Sequence, residues 1–309
     1  MDIKRQLTLR QECSFEGKGL HTGKYARLTV KPAPENTGIV FHRMDLGADA
    51  FVEALAENVS NTARSTTICK DGVCVITIEH LMSALTGVGV DNAIIELDNE
   101  EVPILDGSAH FFAEAFLKTG LKVQKADRVY IHLSEDLEIS DPETGSCIKF
   151  SPADKPSYDV TVDFGSKVLG VQSAHWDLSV DYDTQIGCCR TFVFFHEIEY
   201  LFKNNLVKGG DLDNAIVIVE HPASEEQVSN LTALFNCPGL KVTGHGYLNN
   251  IKLHFENECG RHKLLDLIGD LRLAGGYLNA KIVAFKPGHK LNTRAAAAIR
   301  DLTKKSENE

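Results

Sequence analysis

Three side chains on one stretch of the chain, His262, Asp266 and Asp270, follow one another at intervals of four. In a helix that interval returns a side chain to the same face one turn later. A neutral imidazole and a carboxylate one turn apart can grip a single zinc ion through bonds of about 2.0–2.2 Å. The surrounding residues favour such a helix, because Leu264, Leu265, Leu267, Ile268 and Leu271 fit one buried apolar stripe. Spacing alone does not decide the matter. Five of the twelve histidines, His110, His132, His221, His254 and His262, have an acid four residues later, and the interval equally suits a solvated helix face with local ion pairing.

A catalytic zinc also needs a third protein ligand and an open position for water. The pair Glu79-His80 offers one, with the histidine as ligand and its neighbour as a base toward water. It stands where a strand expected at 73–78 runs into a helix that pairs His80 with Ala84 and Leu81 with Leu85 and stops at Gly87. A lone Glu-His dipeptide is usually plain surface, and neither composition nor spacing joins it to the segment around His262.

The elements that must position these groups read as α+β. Strands are expected at 26–30, 92–97, 128–133, 146–150, 158–164, 214–219, 247–255 and 277–285, with helices at 108–120, 224–235, 259–274 and 290–304. Strands cluster and do not alternate strictly with helices, which favours an α+β arrangement over a doubly wound sheet. The polar stretch at 124–128 divides the chain into domains at 1–126 and 127–303, with 304–309 as a charged tail or linker. Asp91-Asn92-Ala93-Ile94-Ile95 is echoed by Asp213-Asn214-Ala215-Ile216-Val217, either by chance or because each half carries a similar unit.

Bulk properties narrow the partners. The 309 residues carry 32 basic and 43 acidic groups, a net charge of −11, which repels a nucleic-acid backbone and leaves room for a small anion held by one or two lysines. No apolar run reaches the roughly 20 residues of a membrane-spanning helix, and the N-terminus lacks the apolar stretch of a signal peptide. A cytoplasmic location is expected, and with it eight free thiols, since Cys69 and Cys74 have no second pair at metal-ligand spacing.

An ordered series of motifs goes further. Gly19-Leu20-His21-Thr22-Gly23-Lys24, Pro32-Ala33-Pro34-Glu35-Asn36-Thr37-Gly38, Thr77-Ile78-Glu79-His80-Leu81 and Pro103-Ile104-Leu105-Asp106-Gly107-Ser108 lie in the first half. Arg190-Thr191-Phe192, Ile198-Glu199-Tyr200-Leu201, Gly209-Gly210, Arg261-His262-Lys263-Leu264-Leu265-Asp266, Gly269-Asp270-Leu271 and Gly288-His289-Lys290-Leu291-Asn292 follow. Together they resemble the UDP-3-O-acyl-N-acetylglucosamine deacetylases, zinc enzymes of lipid A biosynthesis, over nearly the whole chain. The resemblance implies two domains of similar two-layer sandwich type, each with a small insert, and an active site in the cleft between them. It implies one Zn2+ per chain on His80, His262 and Asp266, with Glu79 as base and His289 as acid or charged stabiliser. Asp270 would orient His289 and favour its protonated form, and Thr191 would help hold a developing oxyanion.

The same resemblance implies a UDP-sugar lipid precursor as substrate, with Lys263 toward the diphosphate and Phe164 stacking on the nucleotide. No secure match appears around 146–151 for a further basic residue expected there. An apolar insert at about 191–213 would form a passage for the acyl chain, with Phe192, Phe194, Leu201 and Leu206 among its walls. His21 would face the active cleft. Some relatives continue into a fused hydroxyacyl dehydratase domain. Two rival readings are a zinc deacetylase for another N-acyl sugar and a non-catalytic module binding nucleotide sugar or lipid.

Overall fold

The computed structural model of the chain describes residues 4–203, 208–221, 223–235 and 237–306. Two sheets built on one plan organise it. The first runs Cys13–Lys18, Tyr25–Pro32, Ala93–Leu97, Ile39–Arg43, Phe51–Glu53, and the second Leu137–Asp141, Ser146–Pro152, Tyr277–Phe285, Ser157–Asp163, Val171–Asp177. In each, the strand that comes last in sequence enters the centre, antiparallel to one neighbour and parallel to the other. Tyr130–His132 adds a parallel strand beside Tyr277–Phe285. Tyr25–Pro32, Ser157–Asp163 and Val171–Asp177 alternate buried with more exposed residues, so each presents one apolar face to a helical layer.

The helices repeat the plan as well. In the first half a three-stranded insert, Val59–Asn61, Thr67–Lys70 and Val73–Val75, leads into helix α1 (Glu79–Val88), the central strand, and helix α2 (His110–Thr119). In the second, the insert pairs Phe192–Phe194 in parallel with Ile216–Ile218 and holds α3 (Phe195–Lys203) and α4 (Glu225–Leu234). Helix α5 (Glu258–Leu271), the central strand and α6 (His289–Ser306) follow. The expected α+β fold with two similar halves, each bearing an insert, is therefore what the chain adopts. The echo at residues 91 and 213 is a coincidence, however. Ala93–Leu97 is the centre of the first sheet, whereas Ile216–Ile218 belongs to an insert and the counterpart of the former is Tyr277–Phe285.

A continuous apolar core joins the halves, taking in Leu28 and Phe41 of the first sheet, Leu81 and Leu85 of α1, Leu264 and Leu267 of α5, and Ile148 and Val160 of the second sheet. Helices α1 and α5 pack directly on each other. Gly269 sets their separation, because a Cβ there would lie 2.1 Å from the Glu79 carbonyl oxygen. That contact brings the Asp266 and Asp270 face of α5 to the first turn of α1.

Several local expectations are corrected. No strand forms at 247–255, where only isolated bridges join Ile218 to Tyr247 and Val242 to Leu248. The amides of Asn249 and Asn250 bond to the backbone of Lys241, Leu212 and Ala215, and such bonds compete with a ladder. The second insert extends past 213, since Leu231 of α4 and Leu248 share a small core with Ile198 and Val217. Helix α6 runs on through 304–306, the start of the expected tail, because Arg300 and Lys304, one turn apart, both reach Glu57. The polar stretch at 124–128 closes the strand Leu121–Asp127, which pairs with Arg5–Leu9.

The eight thiols are not all free. Cys69 stands opposite Cys74 in an antiparallel hairpin that turns at Asp71-Gly72, both with positive φ, and the two are joined in a disulfide. Register, which spacing in sequence does not reveal, makes them neighbours.

Candidate active site

Thr77 precedes α1 in a left-handed conformation, φ 59°, that a β-branched residue rarely adopts. Its hydroxyl donates to Glu101 Oε1 at 2.9 Å. The same carboxylate accepts from the backbone N–H groups of His21 and Thr22 and from the Thr22 hydroxyl, all at 2.7–2.8 Å. Glu101 thus ties the loop carrying His21 to the start of α1. Gly209 closes the other side, its N–H donating to Leu20 O at 3.0 Å.

On α1 and α5 three buried groups converge. His80, His262 and Asp266 each offer a ligand atom, and these atoms lie within 4.8 Å of one another. Asp266 Oδ1 stands 3.4 Å from His262 Nε2 and 3.7 Å from His80 Nε2. Ligands of one tetrahedral zinc sit about 3.4 Å apart, given bonds of about 2.1 Å. Asp266 Oδ1 is buried and has no hydrogen-bond partner, and a cation held between it and the two imidazoles would satisfy it. The imidazoles do not supply that charge. Burial and the neighbouring His262 push His80 down to about 3, and burial pushes His262 down too. His262 Nδ1 donates to Cys189 O at 3.0 Å, which leaves Nε2 as a lone-pair donor toward the centre. The donor set fits a zinc ion.

A proton-transfer pair stands beside this cluster. Glu79 is buried, and burial together with the charges of Asp270 and Asp266 lifts its carboxyl to about 7, although His289 opposes them. Its Oε2 accepts from Thr66 N at 3.0 Å, and Oε1 lies 3.8 Å from His289 Nε2. Burial would depress His289, but Asp270 and Glu79 outweigh it and raise the imidazole to about 9. His289 Nδ1 donates to Asp270 Oδ2 at 2.9 Å. Asp270 accepts as well from Asn292 Nδ2 at 2.9 Å and, through Oδ1, from the Thr66 hydroxyl at 2.6 Å.

A carboxyl raised to about 7 and an imidazole raised to about 9, next to three groups able to ligate one metal ion, are the parts of a metal-assisted hydrolase. The family described as UDP-3-O-acyl N-acetylglycosamine deacetylase matches the chain over residues 6–232 and 239–301. The chain belongs to this deacetylase family. A bifunctional enzyme LpxC/FabZ of Porphyromonas gingivalis is 42% identical over 305 residues, covering 99% of this chain and 66% of its own length. Its namesake in Bacteroides thetaiotaomicron is 40% identical over 96% of this chain and 64% of its own length. The UDP-3-O-acyl-N-acetylglucosamine deacetylase of Saccharophagus degradans is 38% identical over 94% and 88%. The chain therefore spans slightly less than two thirds of the bifunctional relatives.

In this member of the deacetylase family, some of the remaining singled-out residues lie beside the centre and others do not. Lys263 Nζ donates to Asp266 Oδ2 at 2.7 Å and lies 5.5 Å from the Phe192 ring. Phe192 is 6.3 Å from the His262 ring and meets Phe164 edge-on at 5.4 Å; Phe164 is 43% exposed. Phe194 packs on Phe164 and His196 and stands apart from the cavity that Phe192 and Leu201 line. That cavity, about 110 Å³, also takes in His21, Thr191, Ile198, Leu212 and Val217. Thr191 is held by backbone bonds to Gly107 O and from Ile216 N, two residues beyond the carbonyl that supports His262. Leu206 lies outside the described residues. Among the described residues, no helix is long and apolar enough to cross a membrane.

Sequence reasoning missed four supports: Glu101, Thr66, Asn292 and the Arg190–Glu258 clamp, which bonds at 2.9 Å and anchors the strand entry on α5. Glu101 sits in an acidic run and Thr66 in a hydroxyl run, both of which read as solvated. Asn292 was visible only as part of a motif.

Proposed function

We propose that the chain is a zinc-dependent amidohydrolase that removes the N-acetyl group from UDP-3-O-[(R)-3-hydroxyacyl]-N-acetylglucosamine, releasing acetate, in the committed step of lipid A biosynthesis. The observation that carries this reading is the orphaned Asp266 Oδ1 between two neutral imidazoles, 3.4 and 3.7 Å away. His80, His262 and Asp266 would hold one Zn2+ per chain. When bound, zinc polarises a carbonyl and lowers the pKa of water toward about 7.

Glu79, with a carboxyl at about 7, takes the proton of the attacking water at neutral pH. The Thr66 N–H on Oε2 fixes the carboxylate and leaves Oε1 beside His289 Nε2 at 3.8 Å. Thr191 donates its hydroxyl to the oxyanion that develops on the acetamide carbonyl. The leaving nitrogen needs a proton before the C–N bond breaks, and the Glu79–His289 pair holds it. His289, kept charged by Asp270, also offsets negative charge in the transition state. Lys263 and Phe164 would contact the diphosphate and nucleotide, and Phe192 and Leu201, which line the apolar cavity, the acyl chain. The domain division at 126/127 puts Glu79 and His80 on one side of the cleft and the remaining ligands on the other. A cytoplasmic setting fits a nucleotide-sugar substrate, and the bifunctional relatives support a fused dehydratase domain in this lineage.

The decisive assay compares acetate release from acylated and unacylated UDP-N-acetylglucosamine. Burying five methylenes is worth about 4 kcal/mol, so the unacylated sugar should lose about a thousandfold in kcat/KM. Equal rates would assign the chain to another N-acyl sugar.

The pH profile tests His289. As pH rises through about 9 the imidazolium loses its proton, and kcat/KM should fall. Asp270→Asn removes the charge that raises His289, so the fall should move to lower pH. An alkaline limb that stays put in Asp270→Asn would remove that partnership.

A further inference from the structure

Arg272 opens the 3-10 turn Arg272–Ala274 that follows α5. The residue is only 6% exposed. Its guanidinium lies on the Tyr277 ring, with Cζ 4.4 Å from the centroid. Its Nε is buried with no hydrogen-bond acceptor. Among the described residues no carboxylate pairs with it, in contrast to Arg128, which lies on the same ring at 4.1 Å and is answered by Asp91 at 2.7 Å. A buried cation without a counter-charge is costly, and proteins rarely retain one without a use.

Arg272 lines a polar cavity of about 270 Å³ whose walls come from both halves of the chain and include none of the catalytic group. The other polar groups there are occupied. Gln6 bonds to Asn36 and Asn92, and Arg300 to Glu57. Asp91, the acid on that wall, accepts from Arg128 and from the backbone N–H of Leu7. Of the two arginines on that wall, Arg272 is the one without a carboxylate partner among the described residues.

We propose that this cavity binds a small oxyanion, a phosphate monoester or a carboxylate, through Arg272. The planar fork of a guanidinium matches two oxygens of such a group at once, which a chloride or a single water does not offer.

The test uses the full, metal-loaded chain, unfolded thermally in chloride, phosphate or acetate at matched ionic strength. Phosphate, acetate or both should raise the midpoint by about 2 °C over chloride, and the stronger of the two identifies the class of oxyanion. Arg272→Met keeps an apolar contact on Tyr277 without the charge. It should lose that gain, match or exceed the wild type in chloride, and release acetate from substrate at an unchanged rate. Arg272→Lys, which keeps a charge without the fork, should retain a fraction of the gain. If the Met variant fails to fold, calorimetric titration of phosphate or acetate into the wild type and the Lys variant decides, with weaker binding expected in the latter. No oxyanion effect in the wild type, an undiminished effect in the variants, or binding that vanishes in His262→Ala and so belongs to the metal centre would each overturn the proposal.

Discussion

His262→Ala is expected to empty the metal centre and abolish turnover together. Metal content should drop from about one ion per chain to near zero, and acetate release by about a thousandfold or more, since a bound cation supplies several kcal/mol of charge stabilisation. The expectation rests on how little else could hold the ion. His80 and Asp266 would remain, with Lys263 already donating to the other Asp266 oxygen at 2.7 Å. Despite burial, the charges of Lys263 and His289 keep the Asp266 carboxyl well below the usual carboxylate range, so it stays an anion whose Oδ1 has no partner. The Cys189 carbonyl would also lose the imidazole N–H that it accepts. Elemental analysis alongside the acetate assay checks both halves of the claim. Full metal content in the variant would place the ion elsewhere.

Glu79→Gln should separate binding from chemistry. The amide keeps the shape of the side chain and an oxygen for the Thr66 N–H, but it cannot take a proton. Metal content should stay at the wild-type level while kcat falls by about 10²- to 10⁴-fold, the usual worth of a general base. Substrate affinity should change little, because Glu79 acts on water. Stability should hold or rise, since burial and the charges of Asp270 and Asp266 work against the ionised carboxyl. A variant with undiminished turnover would take Glu79 out of the mechanism. Read together, the two substitutions distinguish a residue that holds the ion from one that works beside it.

Local periodicity was legible where it is set by neighbours in the chain. The helix expected at 259–274 is α5 with its terminal turn, and the strand expected at 277–285 matches Tyr277–Phe285. Both are strongly patterned, so tertiary contacts had nothing to override. The segment 247–255 looked as apolar as a strand, yet two asparagine amides satisfied the backbone in another way. Pattern measures which face is buried and says little about which hydrogen bonds win.

The linear chain by itself determined that His262, Asp266 and Asp270 share one helical face, because 3.6 residues per turn is a local property. Ordered motifs along it implied the family and its ligand set. Tertiary structure alone decided that His80 meets that face, through a glycine at 269 that lets two helices touch 2.1 Å from where a side chain would begin. It also decided that Thr66, Asn292 and Glu101 brace the centre, and that Cys69 and Cys74 bond. Each of these depends on a distance between residues remote in sequence, or on strand register, and such distances are set only when the whole core packs.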